Sequence, residues 1–334
     1  MAIATRHVRT VWRLEIWGIV AILGGCGLSF DSIPEGASPS NDAGVDGAPP
    51  PKDAALVDAN APDTAPPANC TNLVKDGDES DVDCGGSCAK GCTEAKVCST
   101  SSDCDKGLLC NGTACVLPTT CKALREGRAT TPSGNYKIAP LGVPYEVGCD
   151  MDLFGGGFTL AMKVDGAQTT FSYEAPYWTN ALLYEEQSFD LRDRKETKLK
   201  SFNELAFADV ALVFETAGVS RTARLPIAKN SLLELFATRT ATNLGRNAWL
   251  DLVPGSSLQT GCNAEGASIE EGSGAKVRLG ILGNGFSGCL SPDSYLGVGG
   301  VEECGKSTRA GNVACINGSS GDRNLVSFVR IFVR

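Results

Sequence analysis

The chain has 334 residues, 15 cysteines, 39 glycines and a formal charge of −9. Its one histidine, His7, lies inside a segment that reads as a leader, which excludes Ser-His-Asp and Cys-His catalysis and any imidazole-ligated zinc from the remainder. The acidic balance argues against a nucleic-acid partner, whose phosphates require a Lys/Arg surface.

Arg6, Arg9 and Arg13 form a basic start, and the apolar run Ile16–Leu23 follows. That run is too short to cross a bilayer, which takes ~20 apolar residues, so residues 1–25 read as a signal peptide. Leu23-Gly24-Gly25-Cys26 resembles a bacterial lipobox. The resemblance implies that Cys26 carries the lipid (palmitate among its acyl chains) and that several chains together anchor the protein to a membrane. The alternative is an ordinary secretory signal with a coincidental cysteine. Gly27 follows, rather than the aspartate associated with inner-membrane retention, which points to the outer membrane or cell surface.

Residues 26–69 comprise this cysteine and a linker in which Gly27–Asn69 holds nine Ala, eight Pro and six Asp. Such a composition buries too little apolar surface to offset the entropy of ordering, so a disordered stalk is expected.

Residues 70–118 form a cysteine-rich module. Cys70, Cys84, Cys88, Cys92, Cys98, Cys104, Cys110 and Cys115 occur without a single aromatic up to Cys115. A segment this small has little core, so four disulfides are expected to staple it, in one of 105 connectivities. The spacing Cys84-x3-Cys88-x3-Cys92 leaves a metal cluster as the alternative. Asp76, Asp78, Asp81 and Asp83, alternating beside Gly77, resemble a calcium loop of hard oxygens. A solvated acidic turn is the competing reading. The whole repeat is similar to modules of surface proteins in myxobacteria-like bacteria.

Residues 119–334 hold 19 of the 20 aromatics beyond the leader, so the sizeable core belongs there. Strands are expected over 146–150, 158–163, 210–215, 276–282 and 327–333, from β-branched and aromatic runs. A short helix is expected over 231–238 with Ser231 as its cap. No strand–helix–strand rhythm appears, and the glycines from Val253 onward read as loops. The fold class is therefore α+β. Gly280-Ile281-Leu282-Gly283-Asn284-Gly285 is a tight turn on this reading, not a dinucleotide loop.

Cys121, Ser133-Gly134-Asn135-Tyr136-Lys137-Ile138, Cys149-Asp150-Met151 and Gly155-Gly156-Gly157-Phe158-Thr159 occur in an order that resembles the opening of fibrinogen-like domains. The apolar strand closing on Arg334 resembles the intelectin-like branch. The resemblance implies a small antiparallel sheet, short helices and a loop-rich, disulfide-pinned C-terminal lobe. It also implies the pair Cys121–Cys149; Cys262–Cys289 and Cys304–Cys315 follow from proximity alone.

Such domains bind ligands through calcium-organised loops, and intelectins coordinate a sugar diol on the ion. By position, the resemblance implies calcium ligands among Asn263, Glu265, Asn284, Asp293, Glu302 and Glu303, with Tyr295 against the ligand. Two departures stand beside it: the chain has no histidine for the diol-gripping position, and no aromatic between Tyr295 and Phe328. Turn chemistry is the competing account of the Asn and Asp residues.

The expected function is a lipid-anchored surface protein binding carbohydrate or another extracellular ligand, with no enzymatic activity. A protein–protein adhesion module is the second reading. A glycosidase using a carboxylate pair drawn from Glu265, Glu270, Glu271, Asp293, Glu302 and Glu303 is the third.

Overall fold

The computed structural model describes residues 69–315 and 321–334. Cys26, the leader and the linker up to residue 68 lie outside the described residues. The described chain is mostly sheet with a few short helices and is rich in disulfides.

The cysteines of residues 70–115 pair as Cys70–Cys88, Cys84–Cys92, Cys98–Cys110 and Cys104–Cys115. Apart from cystine sulfur, its buried apolar cluster contains Leu108 alone. Carboxylates supply the rest of the order. Asp103 accepts the amides of Ser99 at 2.8 Å, Thr100 at 2.9 Å and Gly86 at 3.3 Å. Buried backbone N–H groups need acceptors, and with little regular structure nearby the acidic side chains provide them. Arg128 ties this region to the next: its Nη1 donates to the carbonyls of Cys104 and Asp105, each at 2.9 Å.

From Cys121 onward two antiparallel sheets form. The first has seven strands, with Gly134–Ile138, Tyr145–Asp150, Phe158–Asp165, Phe328–Val333, Phe207–Thr216 and Val219–Lys229 in spatial order, and Thr197–Lys198 beside Phe158–Asp165. The last strand of the chain thus occupies the centre of the sheet. Its run Phe-Val-Arg-Ile-Phe-Val suits a strand covered on both faces, and only Arg330 is not fully buried. Leu232–Ala237 is the expected helix; the Ser231 hydroxyl caps it by accepting the Glu234 amide at 3.1 Å. Phe202 stacks on Phe236 at 5.7 Å and Trp178 meets Phe236 edge-on at 4.9 Å, forming the aromatic centre of the main core.

The second sheet corrects the expectation of a loop-rich C-terminal lobe. Six strands, Thr240–Ala241, Glu265–Glu270, Lys276–Gly283, Ser294–Val298, Ala310–Ala314 and Arg323–Val326, run in order as an antiparallel meander. The glycines taken as loop markers form a row: Gly266 faces Gly280, Gly280 faces Gly297, and Gly297 faces Gly311. A Cβ on Gly280 would stand 2.2 Å from the Leu296 carbonyl oxygen, and Gly297 has φ +153°. Here glycine permits close backbone approach within strands instead of ending them.

Two lysines are fully buried. Lys163 pairs with Asp193 and donates to the Asp190 carbonyl at 3.1 Å. Lys198 has no carboxylate partner among the described residues; its Nζ donates to the Asn180 carbonyl and lies 4.6 Å from the Phe202 ring centre.

Candidate functional site

The structure scatters the expected ligands. Asn263 accepts Arg246 Nη1 at 2.9 Å through Oδ1. The Glu265 carboxylate receives Trp249 Nε1 at 2.6 Å and the Gly245 amide at 3.0 Å, so it pins the helix Arg246–Leu252 to the second sheet. Both residues are occupied by packing duties. Asn284 is buried and donates to the Gly288 carbonyl at 2.8 Å, closing the turn inside the Cys262–Cys289 loop. Tyr295, expected against a ligand, is 0 % exposed, with its hydroxyl donating to the Val301 carbonyl at 2.9 Å. It belongs to the core, because its place in the central run Ser294–Val298 leaves no exposed face. Glu302 is exposed on the surface.

Asp293 and Glu303 differ from the other expected ligands in that burial raises both carboxyls. Asp293 precedes the strand Ser294–Val298; its amide donates to the Gly283 carbonyl at 3.1 Å, and its carbonyl accepts the Cys315 amide at 3.2 Å. Glu303 sits on a turn bridged to Lys306, beside the Cys304–Cys315 disulfide. Burial pushes the Asp293 carboxyl above the ordinary carboxylate range, against the lowering effect of amides that include Gly285. Burial raises Glu303 too, and the charge of Asp293 adds to the rise. Asp293 Oδ1 is buried without a hydrogen-bond partner. A partly desolvated carboxyl with an orphaned oxygen, in the field of a second carboxyl, takes up a proton or attracts a cation. The nearby Cys304 and Cys315 are closed in their disulfide and offer no thiolate.

A feature not signalled by the spacing arguments lies one residue past Gly285. Phe286 is 79 % exposed within the loop closed by Cys262–Cys289, and Leu290, just past it, is 85 % exposed. Gly261 allows this, since a Cβ there would meet the Phe286 carbonyl oxygen at 1.7 Å. The only sequence clue was an aromatic inside a glycine turn, Gly285-Phe286-Ser287-Gly288.

The other remaining expected sites resolve as follows. Asp76 accepts the Asn69 amide and Asn72 Nδ2, and Asp83 accepts the amides of Asn72 and Leu73. Asp78 accepts the Ser87 hydroxyl, whereas Asp81 accepts the Val97 amide and pairs with Lys96. Asp76 and Asp83 thus hold the turn Asn69–Leu73, whereas Asp78 and Asp81 serve other segments. Among the alternatives for catalysis, Glu270 pairs with Lys276 and Glu271 with Arg239. Cys121 bonds Cys149, tying the helix Cys121–Gly127 to the first sheet.

No family model matches the chain, and no curated protein matches it. Among solved structures it is similar to the fibrinogen-like globe domain of human ANGPTL6, at 14 % identity and a TM-score of 0.31, over 65 % of this chain and 95 % of that one.

Proposed function

We propose that the chain is a ligand-binding module displayed at a bacterial outer membrane or cell surface through a lipid on Cys26. In this reading its C-terminal region recognises carbohydrate with the help of calcium held by Asp293 and Glu303. The observation that carries it is the orphaned, buried Asp293 Oδ1, whose charge, with burial, raises the Glu303 carboxyl. Hard carboxylate oxygens on disulfide-braced loops suit calcium, which completes its shell with carbonyls, water or a sugar diol. When bound, the ion would neutralise two crowded negative charges and offer open positions to ligand hydroxyls. In this reading the exposed Phe286 ring offers an apolar surface for a sugar face. No catalytic step belongs to this reading.

The exposure of Phe286 and Leu290 favours a second reading, a protein–protein adhesion module, because exposed apolar groups on a braced loop suit a protein partner. A glycan array probed with the full chain in calcium and again in chelator separates the two. Calcium-dependent sugar binding supports the first; a blank array in both conditions overturns it. Asp293→Asn sharpens the test. It should raise the melting temperature in chelator by the equivalent of about 1 kcal/mol, by removing an unsatisfied carboxylate, and abolish the stabilisation given by calcium.

A further inference from the structure

A cleft of ≈ 520 Å³ lies where the cysteine-rich region meets Arg128, lined by Lys90, Lys106, Arg128, Asp105 and Ser102 among others. In a chain of net charge −9, this concavity gathers three cations against one carboxylate. Lys90 and Lys106 are exposed, and neither they nor Arg128 form an ion pair with any described carboxylate.

The walls are rigid. Gly91 packs so tightly on the facing segment that a Cβ would stand 2.6 Å from the Asp105 amide nitrogen. The Asp105 amide donates to the Cys92 carbonyl at 2.9 Å, and disulfides Cys84–Cys92 and Cys104–Cys115 lock both sides. Arg128 is preset as well: Nη1 is held by the carbonyls of Cys104, Asp105 and Leu108, whereas Nε and Nη2 make no hydrogen bond to any described residue. A guanidinium held on one edge and unpaired on the other is organised to receive an anion.

Lys106 and Arg128 also line a second concavity of ≈ 160 Å³ with Thr130, Thr131 and Tyr136. The two concavities share Lys106 and Arg128, and the second adds the Thr130 and Thr131 hydroxyls, so together they form a track. A single small anion would engage one cation; a chain carrying several anions and hydroxyls can engage the three cations and the threonine hydroxyls together. The geometry points to this seam as a binding track for an acidic polysaccharide, with uronate carboxylates on Lys90, Lys106 and Arg128. The track shares no residue with Asp293 and Glu303 and requires no metal, so it stands or falls apart from the calcium reading.

Isothermal titration of the full chain with tetragalacturonate in chelator tests it, with neutral maltotetraose and inorganic phosphate as comparisons. Binding should persist without calcium and fade as salt rises to about 0.5 M, where screening is short-ranged. Lys90→Glu and Lys106→Glu, both exposed, should each weaken it about fivefold or more without shifting the melting temperature. Failure of tetragalacturonate to bind at low salt overturns the proposal, as does indifference to both reversals. An equal response to maltotetraose or to phosphate rejects the acidic-polysaccharide assignment.

Discussion

Residues 70–115 and residues 119–334 solve the problem of holding a chain together by opposite means. The first region buries cystine sulfur and Leu108, and spends its carboxylates on backbone amides. The second buries aromatic and branched side chains between sheets and helices and uses only three disulfides. Apolar burial scales with size, so a short segment needs crosslinks where a long one needs packing. The same residue type changes role across the divide. Asp103 holds a turn by accepting three amides, whereas Asp293 is left with a buried oxygen unsatisfied.

Reduction of the disulfides should separate the two regions most strongly. A disulfide contributes ~2–4 kcal/mol, and four lie within residues 70–115. Hydrogen exchange after full reduction should show that segment unprotected while Phe158–Asp165 and Phe328–Val333 stay protected. Loss of protection in both together would break the comparison. The converse is Phe236→Ala, which empties the contact between Phe202 and Trp178. It should cost ~3–5 kcal/mol of stability by denaturant titration and leave exchange in residues 70–115 unchanged.

Smaller effects follow from titration. Burial raises the Asp103 carboxyl, but hydrogen bonds from Thr100, Ser99, Ser80 and Gly86 outweigh it and hold it at about 2. A folded pKa below the ordinary 3.8 means that its stabilisation is complete above that value and is lost as pH falls through about 2. Asp103→Asn should destabilise by ~1–3 kcal/mol at neutral pH and remove that acid-limb slope in a pH series of melting temperatures. For Lys198, burial pushes the ammonium down from 10.5 to about 8. Between those values the unfolded chain binds the extra proton, so stability should rise with pH across that window. Lys198→Met should flatten the rise; an unchanged slope would show that the amine is solvated.

Several elements were legible because local pattern and tertiary demand agree. The run Phe328–Val333 is apolar enough for a strand wherever it sits, and Ser231 before Leu232-Leu233-Glu234 signals a cap on its own. Of the second sheet only the strand Lys276–Gly283 was legible. Gly266, Gly280, Gly297 and Gly311 look like turn residues singly, and only the register between strands shows them to be one row. The site residues divide in the same way. Asn263 and Glu265 look like ligands until Arg246 and Trp249, from a separate helix, arrive to take their oxygens.

By itself the sequence determined the crosslinked character of residues 70–115 and the location of the main core, since these depend on which residues exist. The disulfide connectivity, the strand order that puts the chain's last strand at the centre of a sheet, the orphaned Asp293 oxygen and the cationic cleft at Arg128 were decided only in three dimensions. Each depends on which distant groups are brought into contact and which polar atoms are thereby left without a partner. Burial and pairing belong to the fold as a whole, and no local pattern encodes them.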